Sequence, residues 1–111
     1  METFLPRDII YIDLGNSIGH ELERKRLCVI IKSFPEIRMA LIVPLSHGKP
    51  NNLYTNVTLE YNPNSKDKEK SFALCHQIRS ISYDRILKKF NTLSERDFKK
   101  IRFTIADFLE D

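Results

Sequence analysis

At 111 residues the chain has the length of one domain, enough to bury a core, and with 41% hydrophobic and 30% charged residues it has the balance of a soluble globular protein. Two cysteines do not make a disulfide scaffold, and the longest apolar runs are far too short to span a bilayer. A net charge of +3 permits a nucleic-acid partner without requiring one.

In chain order, residues 9–14 mix alternation with β-branched side chains and read as a strand, broken by Gly15-Asn16-Ser17. A charged loop punctuated by Gly19 runs to Lys25. Residues 27–31 are continuously apolar, the mark of a strand buried on both faces. After a turn at residues 33–36, residues 39–45 form a third strand that Pro44 is expected to end. Residues 46–52 are rich in turn formers, and Val57, Leu59 and Tyr61 then alternate as a half-buried strand. Residues 62–70 are polar. Residues 71–75 and 77–81 make one further strand with an irregularity at His76. The last element differs in kind. Ser94 with Asp97 three residues on fits a capping box, and Phe98, Ile101, Ile105 and Phe108 share one helical face. An amphipathic helix is expected over residues 95–109, with Phe103 off its apolar stripe, either partly exposed or meeting a second surface such as a partner subunit.

Strands first and a terminal helix last argue for an α+β domain, a small antiparallel SH3-like β-barrel with a C-terminal amphipathic helix, over residues 1–111. Phosphate-loop, dinucleotide and zinc-protease fingerprints are all absent from the sequence. Cys28 and Cys75 lie inside apolar runs without metal-ligand spacing and read as reduced core thiols, so no metal or cofactor is expected. The N-terminal residues lack a basic segment followed by a long apolar stretch, and a cytoplasmic protein is expected. Glu21, Arg26 and Ser46 each stand where a strand-like run meets a loop. A carboxylate, a guanidinium and a hydroxyl at one edge of a barrel are the elements of a phosphodiester site. Read alone, each has a plainer role: Arg26 in a loop ion pair with Glu21 or Glu23, and Ser46 capping a turn.

The ordered pieces tilt that balance. Arg7-Asp8-Ile9-Ile10-Tyr11-Ile12-Asp13-Leu14, Gly19-His20-Glu21, Arg26-Leu27-Cys28-Val29-Ile30-Ile31, Pro44-Leu45-Ser46, Gln77-Ile78-Arg79-Ser80 and Leu93-Ser94-Glu95-Arg96-Asp97 follow one another with fitting spacing. Together they resemble the MazF/PemK family of toxin endoribonucleases across nearly the whole chain. The resemblance implies a homodimer that cleaves single-stranded RNA without a metal, by 2′-hydroxyl attack and at a short sequence, and that is restrained by an antitoxin covering the RNA groove. It places the catalytic set on Arg26, Ser46 and Glu21; His20, Arg24, Lys25, His47, Lys49, Gln77 and Arg79 are candidate RNA contacts. Chemically, Arg26 offers a bidentate fork for phosphate, Ser46 a hydrogen bond to a phosphate oxygen, and Glu21 a base for the 2′-hydroxyl proton.

The chain also departs from the family pattern. Arg7 replaces a Gly, Leu27 replaces the Pro after the arginine, Ser46 replaces a Thr, His76 stands where a Glu is common, and residues 22–25 are bulky and charged. Leu27 and the crowded residues 22–25 motivate a rival reading, a non-cleaving module that binds RNA or an antitoxin-like peptide. A gyrase poison of the related CcdB type ranks last, because that activity needs a C-terminal Trp and this chain has none.

Overall fold

The computed structural model describes residues 3–15, 25–48, 53–61 and 70–110. Among the described residues seven strands precede the helix: β1 (Asp8–Asp13), β2 (Lys25–Phe34), β3 (Met39–Gly48), β4 (Asn56–Thr58), β5 (Lys70–Leu74), β6 (Arg79–Ser82) and β7 (Ile86–Thr92), followed by α1 (Glu95–Leu109). All pairings are antiparallel. The sheet order is β4-β5-β3-β2-β1-β7, with β6 also on β3. The α+β class and the C-terminal helix are as the sequence implies, but the sheet is open, with β4 and β7 at its ends rather than closed into a barrel.

The central hairpin is β2–β3. Its strands run longer than the apolar residues alone suggest, and Ile31 is an extra residue between the pairs Ile30–Ile42 and Lys32–Leu41. Such a bulge bends a strand and increases its local twist. The hairpin closes through a one-turn 3₁₀ helix at Pro35–Ile37. Pro35 supplies the required φ, and Arg38 takes the left-handed conformation (φ 53°, ψ 48°) that returns the chain. Pro44 does not end β3, as the sequence suggested. It pairs with Cys28 on one side, while on the other edge β6 pairs up to Ile42 and β5 begins at Leu45. Pro44 therefore sits in the step between two partner strands, an irregular point of the kind that tolerates a missing N–H.

Both faces of this hairpin are buried, as the apolar run at residues 27–31 implies. Ile9, Val29, Val43, Leu45, Val57, Leu59 and Ala73 meet Phe98, Ile101 and Ile105 of α1. Ile10, Ile12, Cys28, Ile30 and Ile42 form the opposite core with Phe4, Ile81 and Tyr83. Each large apolar side chain buried this way contributes roughly 1.5–3 kcal/mol. The irregularity expected at His76 is a 3₁₀ turn at Cys75–Gln77, which separates β5 from β6 and lets both pair with β3.

The helix begins where expected, but only half of the capping box forms. Ser94 Oγ accepts from the Asp97 N–H at 3.1 Å. The Asp97 carboxylate instead accepts from the Glu60 N–H at 3.1 and 3.0 Å and from the Tyr61 N–H at 3.1 Å. Only 1% exposed, it pins the chain leaving β4 onto the start of α1. Arg7, standing where the family has Gly, sits at φ 78°, a conformation that costs a side-chain-bearing residue about 1–2 kcal/mol. Its side chain offsets part of this by donating from Nε to the Leu93 carbonyl at 2.9 Å and meeting Glu95 at 3.6 Å.

Strand β7 has no counterpart in the sequence reading. Its run Ile-Leu-Lys-Lys-Phe-Asn-Thr does not alternate, because it pairs with β1 through two register shifts and is largely exposed. Phe103 is 72% exposed, as its place off the apolar stripe suggested. It lines a groove of about 510 Å³ with Val57, Thr58, Arg96, Lys99, Lys100 and Thr104.

Candidate phosphodiester site

The two strands of the central hairpin part company beyond the Cys28–Pro44 pair. Counting two residues outward along each strand brings Arg26 and Ser46 to equivalent positions on the same side of the hairpin. β3 continues from there with β5, pairing Ser46 with Phe72 and His47 with Ser71. β2 continues with β1, pairing Arg26 with Ile12 and Lys25 with Asp13. A gap is left between β2 and β3, and a side chain bridges it. Arg26 donates from Nη2 and Nε to the Leu45 carbonyl at 2.7 and 3.2 Å. This bond takes the place of the interrupted ladder and fixes the guanidinium beside the residue that precedes Ser46.

The result is a cleft of about 360 Å³ lined by Lys25, Arg26, Leu27, Leu45, Ser46, His47, Tyr61 and Ser71. Four of the residues singled out from sequence, Lys25, Arg26, Ser46 and His47, are thus brought to one place. Three cationic or potentially cationic side chains and two hydroxyl-bearing serines face an apolar wall of Leu27 and Leu45, a composition suited to an anionic ligand with a flat apolar portion. Glu21, His20, Arg24 and Lys49 lie outside the described residues. Gln77 and Arg79 do not line the cleft: Gln77 closes the 3₁₀ turn and contacts His76, and Arg79 opens β6 opposite Ile42.

Tyr61 and Ser71 line the cleft although the sequence reading did not single them out. Tyr61 arrives there because Asp97 holds its backbone N–H, and burial raises its hydroxyl pKa above the ordinary phenol value. No local motif in the sequence marks either residue. The two cysteines are free and buried, as expected. Burial pushes the Cys28 thiol up to about 12, against a smaller opposing pull from the Arg26 and Arg79 charges. Burial likewise raises Cys75 to about 11. Both are therefore protonated near neutral pH and unsuited to act as nucleophiles. Among the described residues no group of three or more His, Cys, Asp or Glu side chains could hold a metal ion. Among the same residues no helix is long and apolar enough to cross a membrane.

An open antiparallel sheet packed by one C-terminal helix, with an arginine and a serine at the split end of its central hairpin, defines a class of small α+β proteins with a basic cleft. The chain belongs to the family described as PemK-like, MazF-like toxin of type II toxin–antitoxin system, whose model matches residues 6–109. No curated protein sequence matches the chain. Among solved structures, MazF from Deinococcus radiodurans superposes with a TM-score of 0.81 at 12% identity, covering 100% of both chains. An endoribonuclease in complex with its cognate antitoxin from mycobacterial species gives 0.73 at 14% identity, covering 97% of this chain and 96% of that one. The MazE–MazF complex from Deinococcus radiodurans gives 0.73 at 11%, covering 97% and 98%. At these identities the structural likeness speaks for the fold; the family match speaks for the toxin class.

Proposed function

We propose that this MazF-like toxin is a sequence-selective endoribonuclease that cleaves single-stranded RNA without a metal ion, residues 1–111 acting as one domain. The observation that carries the reading is the Arg26 guanidinium held on the Leu45 carbonyl at the mouth of a cleft it shares with Ser46, Lys25 and His47. In the reaction the 2′-oxygen of one nucleotide attacks the adjoining phosphorus and the 5′-oxygen of the next nucleotide leaves. The products are a 2′,3′-cyclic phosphate and a 5′-hydroxyl. Negative charge grows on the non-bridging oxygens, and a fixed guanidinium stabilises it without having to reorganise. Ser46 donates to one of those oxygens and positions the phosphate. Glu21 takes the 2′-hydroxyl proton, a role that rests on the family pattern, and a proton from water completes the departing 5′-hydroxyl. Lys25 and His47, with His20, Arg24, Lys49, Gln77 and Arg79, hold the flanking RNA.

The partners follow the same reading. One structural neighbour is an endoribonuclease in complex with its cognate antitoxin, which supports a cognate antitoxin that covers the cleft of this protein. The exposed Phe103 beside an apolar groove supports a homodimer. An RNA substrate and an antitoxin restraint would support a cytoplasmic location.

The test is cleavage of a long mixed-sequence RNA in EDTA, with the product ends mapped, by wild type, Arg26→Ala and Ser46→Ala. Discrete cuts that vanish in Arg26→Ala and weaken in Ser46→Ala are the expected result. Intact RNA from folded wild type, with RNA still bound, would replace this reading by the non-cleaving module.

A further inference from the structure

Leu27, adjacent to Arg26, lines the cleft from the opposite face of β2, and that face of the sheet does not stop at β2. Leu27, a lining residue, pairs with Tyr11 of β1, and Tyr11 pairs with Lys88 of β7. Directly opposed residues share a face, so Leu27, Tyr11 and Lys88 form a row leading from the cleft to the sheet edge, about 10 Å at ordinary strand spacing. At the end of that row two register shifts interrupt β7, and Phe90 is the extra residue between the pairs Ile9–Asn91 and Ile10–Lys89. Bulges re-aim side chains. Here the bulge brings the Phe90 ring parallel to Tyr11, with centroids 6.1 Å apart and planes 9° from each other. The Lys88 ammonium stands 4.5 Å from the centre of the Phe90 ring. Lysines and bulges alone protect an edge strand from pairing. They do not call for an aromatic ring left 46% exposed beside a second one.

We infer that Tyr11, Phe90 and Lys88 form a base-stacking subsite for single-stranded RNA running across the sheet from the cleft. Parallel rings give a base a surface to continue the stack, and the adjacent ammonium meets a phosphate of the same strand. Stacking tolerates any base, so the subsite adds affinity for longer RNA without adding sequence choice. The inference rests on the proposed RNA reading and assigns that site an extension.

The test uses the full chain and 2′-O-methyl RNA, which lacks the attacking hydroxyl and stays intact. Four-nucleotide oligomers containing the mapped cut site are compared with oligomers extended on the 5′ or the 3′ flank, by fluorescence anisotropy. Phe90→Leu keeps the apolar volume and removes the ring. It is expected to weaken binding of one of the two extended oligomers about tenfold and to leave the four-nucleotide oligomer unchanged. Tyr11→Leu is expected to act in the same sense, and 5-iodouridine in that flank is expected to cross-link to Tyr11 or Phe90. Equal binding of both extended oligomers by wild type and Phe90→Leu, without cross-links at either ring, overturns the subsite while leaving the RNA reading intact. A Phe90→Leu variant that changes only the oligomeric state, with RNA binding unaltered, also overturns it by making the pair a subunit contact. Wild type that neither binds nor cleaves any RNA overturns the RNA reading and the subsite together.

Discussion

The two ends of the β2–β3 hairpin are built on opposite principles. At one end the strands are closed by backbone: Phe34 pairs with Met39, Pro35–Ile37 forms a 3₁₀ turn, and the Arg38 carbonyl accepts from the Tyr83 N–H at 2.9 Å. At the other end the ladder stops at Cys28–Pro44, and the Arg26 side chain bonds the Leu45 carbonyl across the gap. Backbone closure leaves the Arg38 side chain to an exposed pair with Asp84 at 2.9 Å. Side-chain closure sets a guanidinium where a strand pair would otherwise have filled the space. A cleft arises in this fold where a ladder is interrupted and a charged residue spans the interruption.

The largest expected effect breaks the open end. Arg26→Ala removes both the bridge and the charge, and cleavage is expected to fall by about 10²–10³-fold or more in a single-turnover assay. Arg26→Lys keeps a charge but loses the planar fork, and should recover only part of that loss. Next comes the strut behind the cleft. Asp97→Ala leaves the Glu60 and Tyr61 N–H groups without their buried acceptor. A loss of about 2–4 kcal/mol of stability is expected in urea unfolding, with Asp97→Asn intermediate. Ser46→Ala should lower cleavage by about tenfold with no change in unfolding midpoint, while Ser46→Thr stays close to wild type.

The pH dependence tests the interior of the same hairpin. Burial raises Cys28 to about 12 and Cys75 to about 11, each from an ordinary thiol value of 9.0. Below pH 9 both states hold these protons and stability is unaffected. Above it the unfolded chain releases protons that the folded chain keeps, so stability falls as pH rises toward 11 and 12. Thermal unfolding followed from pH 8 to 10.5 should show that decline, and a Cys28→Ala, Cys75→Ala variant should show a shallower one. The smallest effect is expected at the closed end. Arg38→Gly relieves about 1 kcal/mol of left-handed strain and gives up an exposed ion pair worth less than that. Stability should stay within about 1 kcal/mol of wild type, with RNA cleavage unchanged. Loss of cleavage there would erase the distinction between the two ends.

What could be read from sequence follows how locally each feature is encoded. Residues 95–109 carry a cap, first-turn carboxylates and a 3.6-residue stripe, and the helix forms over that span. Val57, Leu59 and Tyr61 were legible as an inward-facing row although only Asn56–Thr58 pairs as a strand. Pro44 misled, because whether a strand can hold a proline depends on its neighbours; here the edge changes partner from β6 to β5. β7 was hidden because its bulges destroy the period-two pattern that marks strands, and the same bulges place Phe90 over Tyr11. At the cleft, the ordered pieces singled out Arg26 and Ser46, with Lys25 and His47 beside them as candidate RNA contacts. The Leu45 carbonyl that holds Arg26, and Tyr61 and Ser71 opposite, are products of register and of the Asp97 strut, which no local pattern records.

The most direct test of the central claim is the chemistry of the cut itself. A target RNA carrying one 2′-deoxy nucleotide immediately 5′ of the mapped cut is incubated with wild type in EDTA beside the all-ribose RNA. The account predicts that the all-ribose RNA yields a 2′,3′-cyclic phosphate and a 5′-hydroxyl, and that the substituted RNA is left whole at that position. Cleavage of the substituted RNA at the same bond, or products ending in a 3′-hydroxyl and a 5′-phosphate, would contradict it.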